Sequence, residues 1–395
     1  MISFDEAVER IRSIARPLGT ETVALECAGG RVLAAPVIAC VDSPRLDVSA
    51  MDGYAVRTED LSAFPASLKI VGESFAGRAW QGVVEAGSCV RIFTGAAVPR
   101  GADRVVIQEG VRREGDLAII DEAPADEHYV RRRGGDFKAG DILLPVGRVL
   151  DERAIVAAGA ADLARVEVWR RPHLLVLATG DELAEPGTAR DKPDSVPDSV
   201  SLGVAMLAER WGALPVGRER LRDHLPSMEQ AAFAALERAD LVVVTGGASV
   251  GETDFAKAMF QPAGLELIFS RVAMRPGKPA WLGRVGERLV FGLPGNPSSA
   301  LVTARLLLAP LIAGMVGRDT NSPLDWGPAR LATALPACGA RETFHRARLV
   351  DGEAEVLRFQ ESHAQKALAD ADVLVRQAAN APAIPAGGTV EVLQL

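Results

Sequence analysis

Between residues 174 and 301 a run of branched apolar residues ends three times in a glycine-containing polar turn. Leu174-Leu175-Val176-Leu177-Ala178 runs into Thr179-Gly180-Asp181-Glu182-Leu183, and Leu241-Val242-Val243-Val244 runs into Thr245-Gly246-Gly247-Ala248-Ser249-Val250-Gly251. Leu289-Val290-Phe291 runs into Gly292-Leu293-Pro294-Gly295-Asn296-Pro297-Ser298-Ser299. An unbroken apolar run reads as a strand covered on both faces, the condition of a parallel sheet wrapped by helices. Ligands of open α/β sheets gather outside the carboxyl ends of the strands, so three polar loops there define one crevice. A polar ligand is expected in it.

The surrounding pattern predicts strands at 174–178, near 214–217, 241–245, 265–269 and 289–292. Helices at 199–211, 226–238, 252–261 and 297–316 alternate with them, which gives a doubly wound α/β domain. Residues 46–140 differ: short apolar runs such as Val90-Arg91-Ile92-Phe93 and Val105-Val106-Ile107 are cut by Gly, Pro and Asp turns, the signature of a β-rich module. The flanks 21–45 and 141–171 carry short strand-like pieces that can pair into a small linking domain with the module inserted. A Pro/Gly/Asp-rich linker at 317–329 precedes a β-rich C-terminal domain. The expected division is therefore 1–20 with 172–320 (α/β), 21–45 with 141–171 (linking), 46–140 (inserted β) and 325–395 (C-terminal β).

Ser3-Phe4-Asp5-Glu6 has the spacing of a capping box and predicts an amphipathic helix through about residue 16. The acidic start lacks the pattern of a signal peptide. The net charge of −8 argues against nucleic acid as a partner, and Arg131-Arg132-Arg133 reads as a solvated loop. Cys27, Cys40, Cys89 and Cys338 form no C-x-x-C pair, so neither a disulfide framework nor zinc is expected, and a reducing cytoplasm fits. The apolar helical stretch Leu306 to Val316 falls short of the roughly 20 residues that cross a bilayer, so no membrane is expected.

Three loops carry chemistry. Asn296-Pro297 reads as an N-cap followed by a proline whose missing N–H costs nothing at a helix start. Such an end, with Ser298 and Ser299 beside it, can seat an oxyanion, although taken alone the junction is more often just a well-capped helix. Arg275-Pro276-Gly277-Lys278-Pro279 strengthens the anion reading, because prolines stiffen a loop that offers two cations. Glu182, Asp254 and Asp223 supply carboxylates near an anion seat, an arrangement that points to a bridging Mg²⁺. Asp181 reads as a turn former, and the histidines lack metal-ligand spacing. No P-loop or dinucleotide fingerprint is present.

In combination these motifs resemble a known family. Ser49-Ala50-Met51-Asp52-Gly53-Tyr54-Ala55, Thr94-Gly95-Ala96-Ala97-Val98-Pro99, Thr179–Leu183, Thr245–Phe255, Pro276-Gly277-Lys278-Pro279 and Gly292–Ala300 are similar, in order, to the motif set of the molybdopterin molybdenumtransferases, relatives of the gephyrin E domain. The resemblance implies an elongated homodimer with a cleft between the α/β domain and the partner's inserted β module. It implies insertion of molybdate into adenylylated molybdopterin with release of AMP, assisted by Mg²⁺. It further implies contact with molybdopterin adenylyltransferase and with proteins that mature molybdoenzymes.

Carried over by position, Asp254 and Glu182 would hold the metal. Asp254, Glu182, Asp223, Asp52 and Thr94 would act in the reaction, the last two from the partner. Arg275, Lys278, Ser299, Arg346 and Ser362 would form the molybdate seat, with Ser298 beside it, and Pro279, Gly246, Gly247 and Ser249 would also bind substrate. Val48, Val200 and Glu361 depart from the family pattern; if Ser362 points at molybdate, the neighbouring Glu361 is expected to repel the dianion unless it faces away or pairs with a cation such as Arg346. A non-catalytic carrier of molybdopterin is the alternative, disfavoured by the intact acidic set. A simple adenylyltransferase is disfavoured by the inserted module and the C-terminal domain.

Overall fold

The computed structural model describes residues 1–246 and 255–395. Its central sheet has six strands in the order Leu214–Leu221, His173–Thr179, Leu241–Thr245, Arg288–Leu293, Trp281–Val285 and Glu266–Phe269. The first four are mutually parallel. Leu174 to Thr179 and all of Leu241–Thr245 are buried, as continuous apolar runs covered on both faces must be. The expected doubly wound pattern stops there. Glu266–Phe269 and Trp281–Val285 pair antiparallel, and the second pairs antiparallel with Arg288–Leu293. A strand at 281–285 was not expected from the sequence, because Trp281-Leu282-Gly283-Arg284-Val285 is short and interrupted by glycine and arginine.

Helices Phe4–Ile14, Val200–Arg210 and Leu225–Arg238 cover the sheet, and the first carries the capping box the sequence announces. Ser3 Oγ accepts from the Glu6 N–H at 3.0 Å, and the Glu6 carboxylate accepts from the Ser3 N–H at 2.8 Å. The helix that starts at Pro297 runs on to Met315, through a π turn at Ala304–Leu308 just before Pro310. Proline cannot donate to the carbonyl four residues back, and a widened turn relieves that misfit. By length and hydropathy this helix could cross a membrane, contrary to the expectation of a stretch too short, but it is 94% buried and forms the core of its own domain.

Thr20–Ala24 pairs with Arg165–Trp169, and Val37–Ile38 with Ile142–Leu144. These pairs, with helix Glu152–Ala160, share one core around Leu33, Leu150 and Val168. The intervening segment forms a separate six-stranded sheet containing Gly53–Val56, Ala66–Ser74, Ser88–Ile92 and Arg104–Ile107.

The C-terminal strands close on themselves. Glu342–Val350 pairs with Glu353–Val356, that strand with Gly327–Leu331, then Thr389–Gln394, then Val373–Gln377, which returns to the first. A closed sheet has no free edges within the ring. One further two-residue strand joins from outside: Met274–Arg275 pairs parallel with Glu342 and Thr343.

Candidate functional site

The three glycine turns do meet. Thr179 Oγ1 donates to the Thr245 carbonyl at 3.3 Å, which ties the first two loops together at the ends of adjacent parallel strands. Gly246, at φ +94°, lies so close to both neighbours that a Cβ there would stand 2.4 Å from the Thr179 carbonyl. From the other side, a Cβ on Gly295 would come within 3.2 Å of the Gly246 Cα. Side chains are thus excluded where the three loops pack, and the backbone forms the cleft floor.

Above that floor is a cleft of about 700 Å³. Its walls include Glu182, Asp223, Pro279, Pro297 and, from the C-terminal segment, His363 and Gln365. The last two were not foreseen: a histidine and a glutamine ahead of a short helix have no motif spacing, and tertiary packing alone brings them here. Asp198 also lines the cleft but is buried, and its carboxylate accepts from Ser201 N at 3.2 Å and Ser201 Oγ at 2.5 Å. It fixes the start of the Val200 helix.

The acidic wall has a definite electrostatic character. Glu182 folds back over Gly180, at φ +148°, where a Cβ would lie 2.6 Å from its carboxylate. Asp181 accepts the Asp223 N–H at 3.3 Å and so links two loops distant in sequence. Partial burial, with repulsion from Asp181 and Glu182, raises Asp223 above the ordinary aspartate range. Among the described residues no three histidine, cysteine or acidic side chains are grouped to hold a metal ion. The calls on Gly247, Ser249 and Asp254 lie outside the described residues.

The cationic loop enters through Pro279. Arg275 and Lys278 are exposed, and among the described residues neither side chain forms a hydrogen bond or ion pair. Behind Arg275, burial pushes His345 below its ordinary value and the arginine's charge adds to the effect; the His345 ring is held by Gln377 Oε1 at 3.0 Å.

The helix end at Asn296 departs from expectation. Asn296 occupies the cap position without a side-chain capping bond, and the Ser298 N–H donates to the Ser362 carbonyl at 3.0 Å. Ser298 Oγ donates to the Ala364 carbonyl at 3.1 Å and accepts from Arg346. Arg346, 1% exposed, also donates to the carbonyls of Phe359 at 3.3 Å, Glu361 at 3.1 Å and Ala364 at 3.3 Å, and to Gln360 Oε1 at 3.4 Å. In this structure the donors of Ser298 and Arg346, both expected at the molybdate seat, are engaged with the 359–364 turn and tie it to the helix. Glu361 is exposed, and its charge opposes the loss of the Arg346 proton that burial favours. Ser299 keeps a hydroxyl with no hydrogen bond among the described residues.

Asp52 and Thr94 come together, but not at this cleft. Thr94 donates to Asp52 Oδ1 from both N–H and Oγ1, each at 2.8 Å, and these bonds hold the carboxylate below its ordinary range. Neither residue lines the cleft of its own chain.

Comparison with known families and structures accounts for most of the chain. Residues 2–161 match the model described as MoeA N-terminal region (domain I and II), residues 175–314 the probable molybdopterin binding domain, and residues 328–395 the MoeA C-terminal region (domain IV). The molybdopterin molybdenumtransferase of Haemophilus influenzae is 38% identical over 80% of this chain and 78% of its own. That of a Nostoc species is 34% identical over 95% and 89%. A crystal structure of a molybdopterin biosynthesis MoeA protein from Pyrococcus horikoshii, 25% identical, superimposes with a TM-score of 0.85 over 100% of both chains.

Proposed function

Since the chain belongs to the molybdopterin molybdenumtransferases, enzymes of molybdenum cofactor biosynthesis, we propose that its reaction takes place in the cleft at the meeting of the three glycine turns. The substrates are adenylylated molybdopterin and molybdate, and the products are the molybdenum cofactor and AMP. The observation that carries this reading is one cleft lined by the glycine turns, by Glu182 and Asp223, and by Pro279 of the proline-stiffened loop that carries Arg275 and Lys278. The carrier reading is not favoured, since the curated relatives are named for the transferase.

Arg275, Lys278 and the Ser299 hydroxyl are suited to a tetrahedral dianion: guanidinium and ammonium groups replace its hydration with charge-assisted bonds. Glycine turns at the strand ends allow a pterin and its phosphate to approach the backbone. Glu182 and Asp223 are hard oxygen donors of the kind Mg²⁺ takes, and the repulsion that raises Asp223 is of a kind a cation relieves. When bound, that ion would neutralise phosphate charge as the phosphoanhydride breaks. Asp254 is the third carboxylate of this assignment.

We further read the active assembly as a homodimer in which Asp52 and Thr94 serve the partner's cleft, which accords with their bonding to one another outside their own. The four-part domain division given above is kept, as are a cytoplasmic location, consistent with four free cysteines, and contact with molybdopterin adenylyltransferase and molybdoenzyme maturation proteins. The test is an assay of cofactor formation from adenylylated molybdopterin and molybdate with AMP measured. It is run on mixed Asp52→Ala and Asp254→Ala chains as well as on the intact protein. Activity of the intact protein and partial recovery in the mixture are expected. No AMP from the intact protein overturns the reaction, and no recovery despite verified subunit exchange overturns the shared site.

A further inference from the structure

A second pocket, of about 150 Å³, opens away from the cleft at the seam between the linking strands and the α/β domain. Gly29, Arg31 and Trp169 form one side; Arg171, Arg210 and Arg318 are on the other. Its volume suits a small ion with some water, given that liquid water occupies about 30 Å³ per molecule.

Positive charge predominates in this pocket. Arg31 is paired with Glu21 at 2.5 Å, and among the described residues the hydrogen bonds of the other three go to main-chain oxygens, while the Arg318 guanidinium also lies over the Trp211 ring. Arg171 donates to the carbonyls of Gly212 at 3.2 Å and Ala213 at 2.5 Å, Arg318 to that of Gly30 at 3.2 Å, and Arg210 to the main-chain oxygen of Leu395, the last residue of the sequence, at 3.2 Å. Glu209 is the one acid lining the pocket, and it is exposed. Arg318 Nε is buried with no hydrogen-bond partner. Burial lowers the pKa of both Arg171 and Arg318, and repulsion from Arg31 adds to it at Arg171. Just behind, Arg305 is pushed down to about 10 by burial and by Arg210. Arg171 and Arg318 are half-buried and Arg210 is exposed; Glu209 and Glu21 partly offset the lowering at Arg171, and a half-buried guanidinium bonded to neutral oxygens gains from a nearby anion.

We infer that this pocket binds a free tetrahedral oxyanion, which the guanidinium groups of Arg171, Arg210 and Arg318 are suited to hold. Inorganic phosphate, sulfate and molybdate share that chemistry, and so does the phosphate of a nucleotide. A bound anion joins the linking strands to the α/β domain, independently of the reaction in the cleft.

The test follows thermal unfolding of the full chain in low-salt buffer free of phosphate and sulfate. Sodium sulfate, phosphate, molybdate, acetate and AMP are each titrated against sodium chloride at matched ionic strength. Lys278→Ala serves as background to weaken oxyanion binding in the cleft, where Arg275 and Ser299 remain, and a response from the cleft is insensitive to substitution at Gly29. The midpoint should rise saturably with the tetrahedral anions and not with acetate. Gly29 has open space around the position of a Cβ, so Gly29→Glu can supply an internal counter-charge while Gly29→Gln cannot. Gly29→Glu should raise the anion-free midpoint and weaken the apparent anion affinity about tenfold, as loss of a charge-assisted contact does. Gly29→Gln should behave as the parent. Chloride matching sulfate, a response to AMP without one to inorganic phosphate, or identical behaviour of the Glu and Gln variants would each overturn the assignment.

Discussion

Two arginines flank the cleft and are used in opposite ways. Arg275 is exposed on a loop held between prolines, and among the described residues its guanidinium is free of hydrogen bonds and ion pairs. Arg346 is 1% exposed and bonds Ser298, Gln360 and three carbonyls of one turn. The same side chain is left uncommitted in one place and is a fixed part of the scaffold in the other. What separates them is whether the local backbone offers carbonyls to the guanidinium. The 359–364 turn does; the Arg275–Pro279 loop, with prolines at 276 and 279, turns its charges outward.

The contrast breaks most visibly at Arg346. Arg346→Met leaves the Phe359 and Glu361 carbonyls without this donor, while the Ala364 carbonyl keeps the Ser298 hydroxyl. Each part-buried polar group left unpaired costs about 1–3 kcal/mol, so a loss of at least ~2 kcal/mol is expected in denaturant unfolding. A loss below about 1 kcal/mol, together with weakened molybdate dependence, would return Arg346 to the anion seat.

Lys278→Ala should do the reverse. Stability should stay within about 0.5 kcal/mol, as for exposed positions generally. The molybdate concentration giving half-maximal cofactor formation should rise about tenfold or more, since one charge-assisted contact contributes ~1.5–3 kcal/mol. Arg275→Lys should be milder than Arg275→Ala in the same titration. Unchanged molybdate dependence in Lys278→Ala would mean that the loop is a solvated turn.

The smallest effect is expected on the acidic wall. Asp223 has a folded-state pKa raised above 3.8, so its ionised form is penalised in the native protein. That penalty is absent below the unfolded value and complete once the pH has passed the raised value. Asp223→Asn should therefore raise the unfolding midpoint slightly at neutral pH, with the gain vanishing as the pH falls below 3.8. A constant difference at all pH values would indicate a packing effect instead.

The parallel half of the central sheet was legible because Leu174–Ala178 and Leu241–Val244 are buried on both faces, and burial on both faces writes itself as an unbroken apolar run. The antiparallel half was not: Trp281–Val285 contains glycine and arginine, and its pairing direction depends on partners distant in sequence. The site divides in the same way. Glycine turns and a cationic loop are local, and the sequence shows them. Whether a serine or an arginine still has donors to offer depends on carbonyls contributed by another segment, as Ser298 and Arg346 illustrate through Phe359, Glu361 and Ala364. His363 and Gln365 reach the cleft by that same tertiary route.

The two-residue strand Met274–Arg275 makes the C-terminal barrel more than a detachable cap. By chain order the cationic loop belongs to the α/β domain, yet its first residues are hydrogen-bonded in register with Glu342 and Thr343 of the barrel. The barrel thus acts as a gauge for the loop: a shift of that strand by one residue turns Arg275 to the opposite face. Modularity fails at this point, and an exchange of C-terminal segments between relatives must carry the 274–275 strand along or inherit a cation aimed elsewhere.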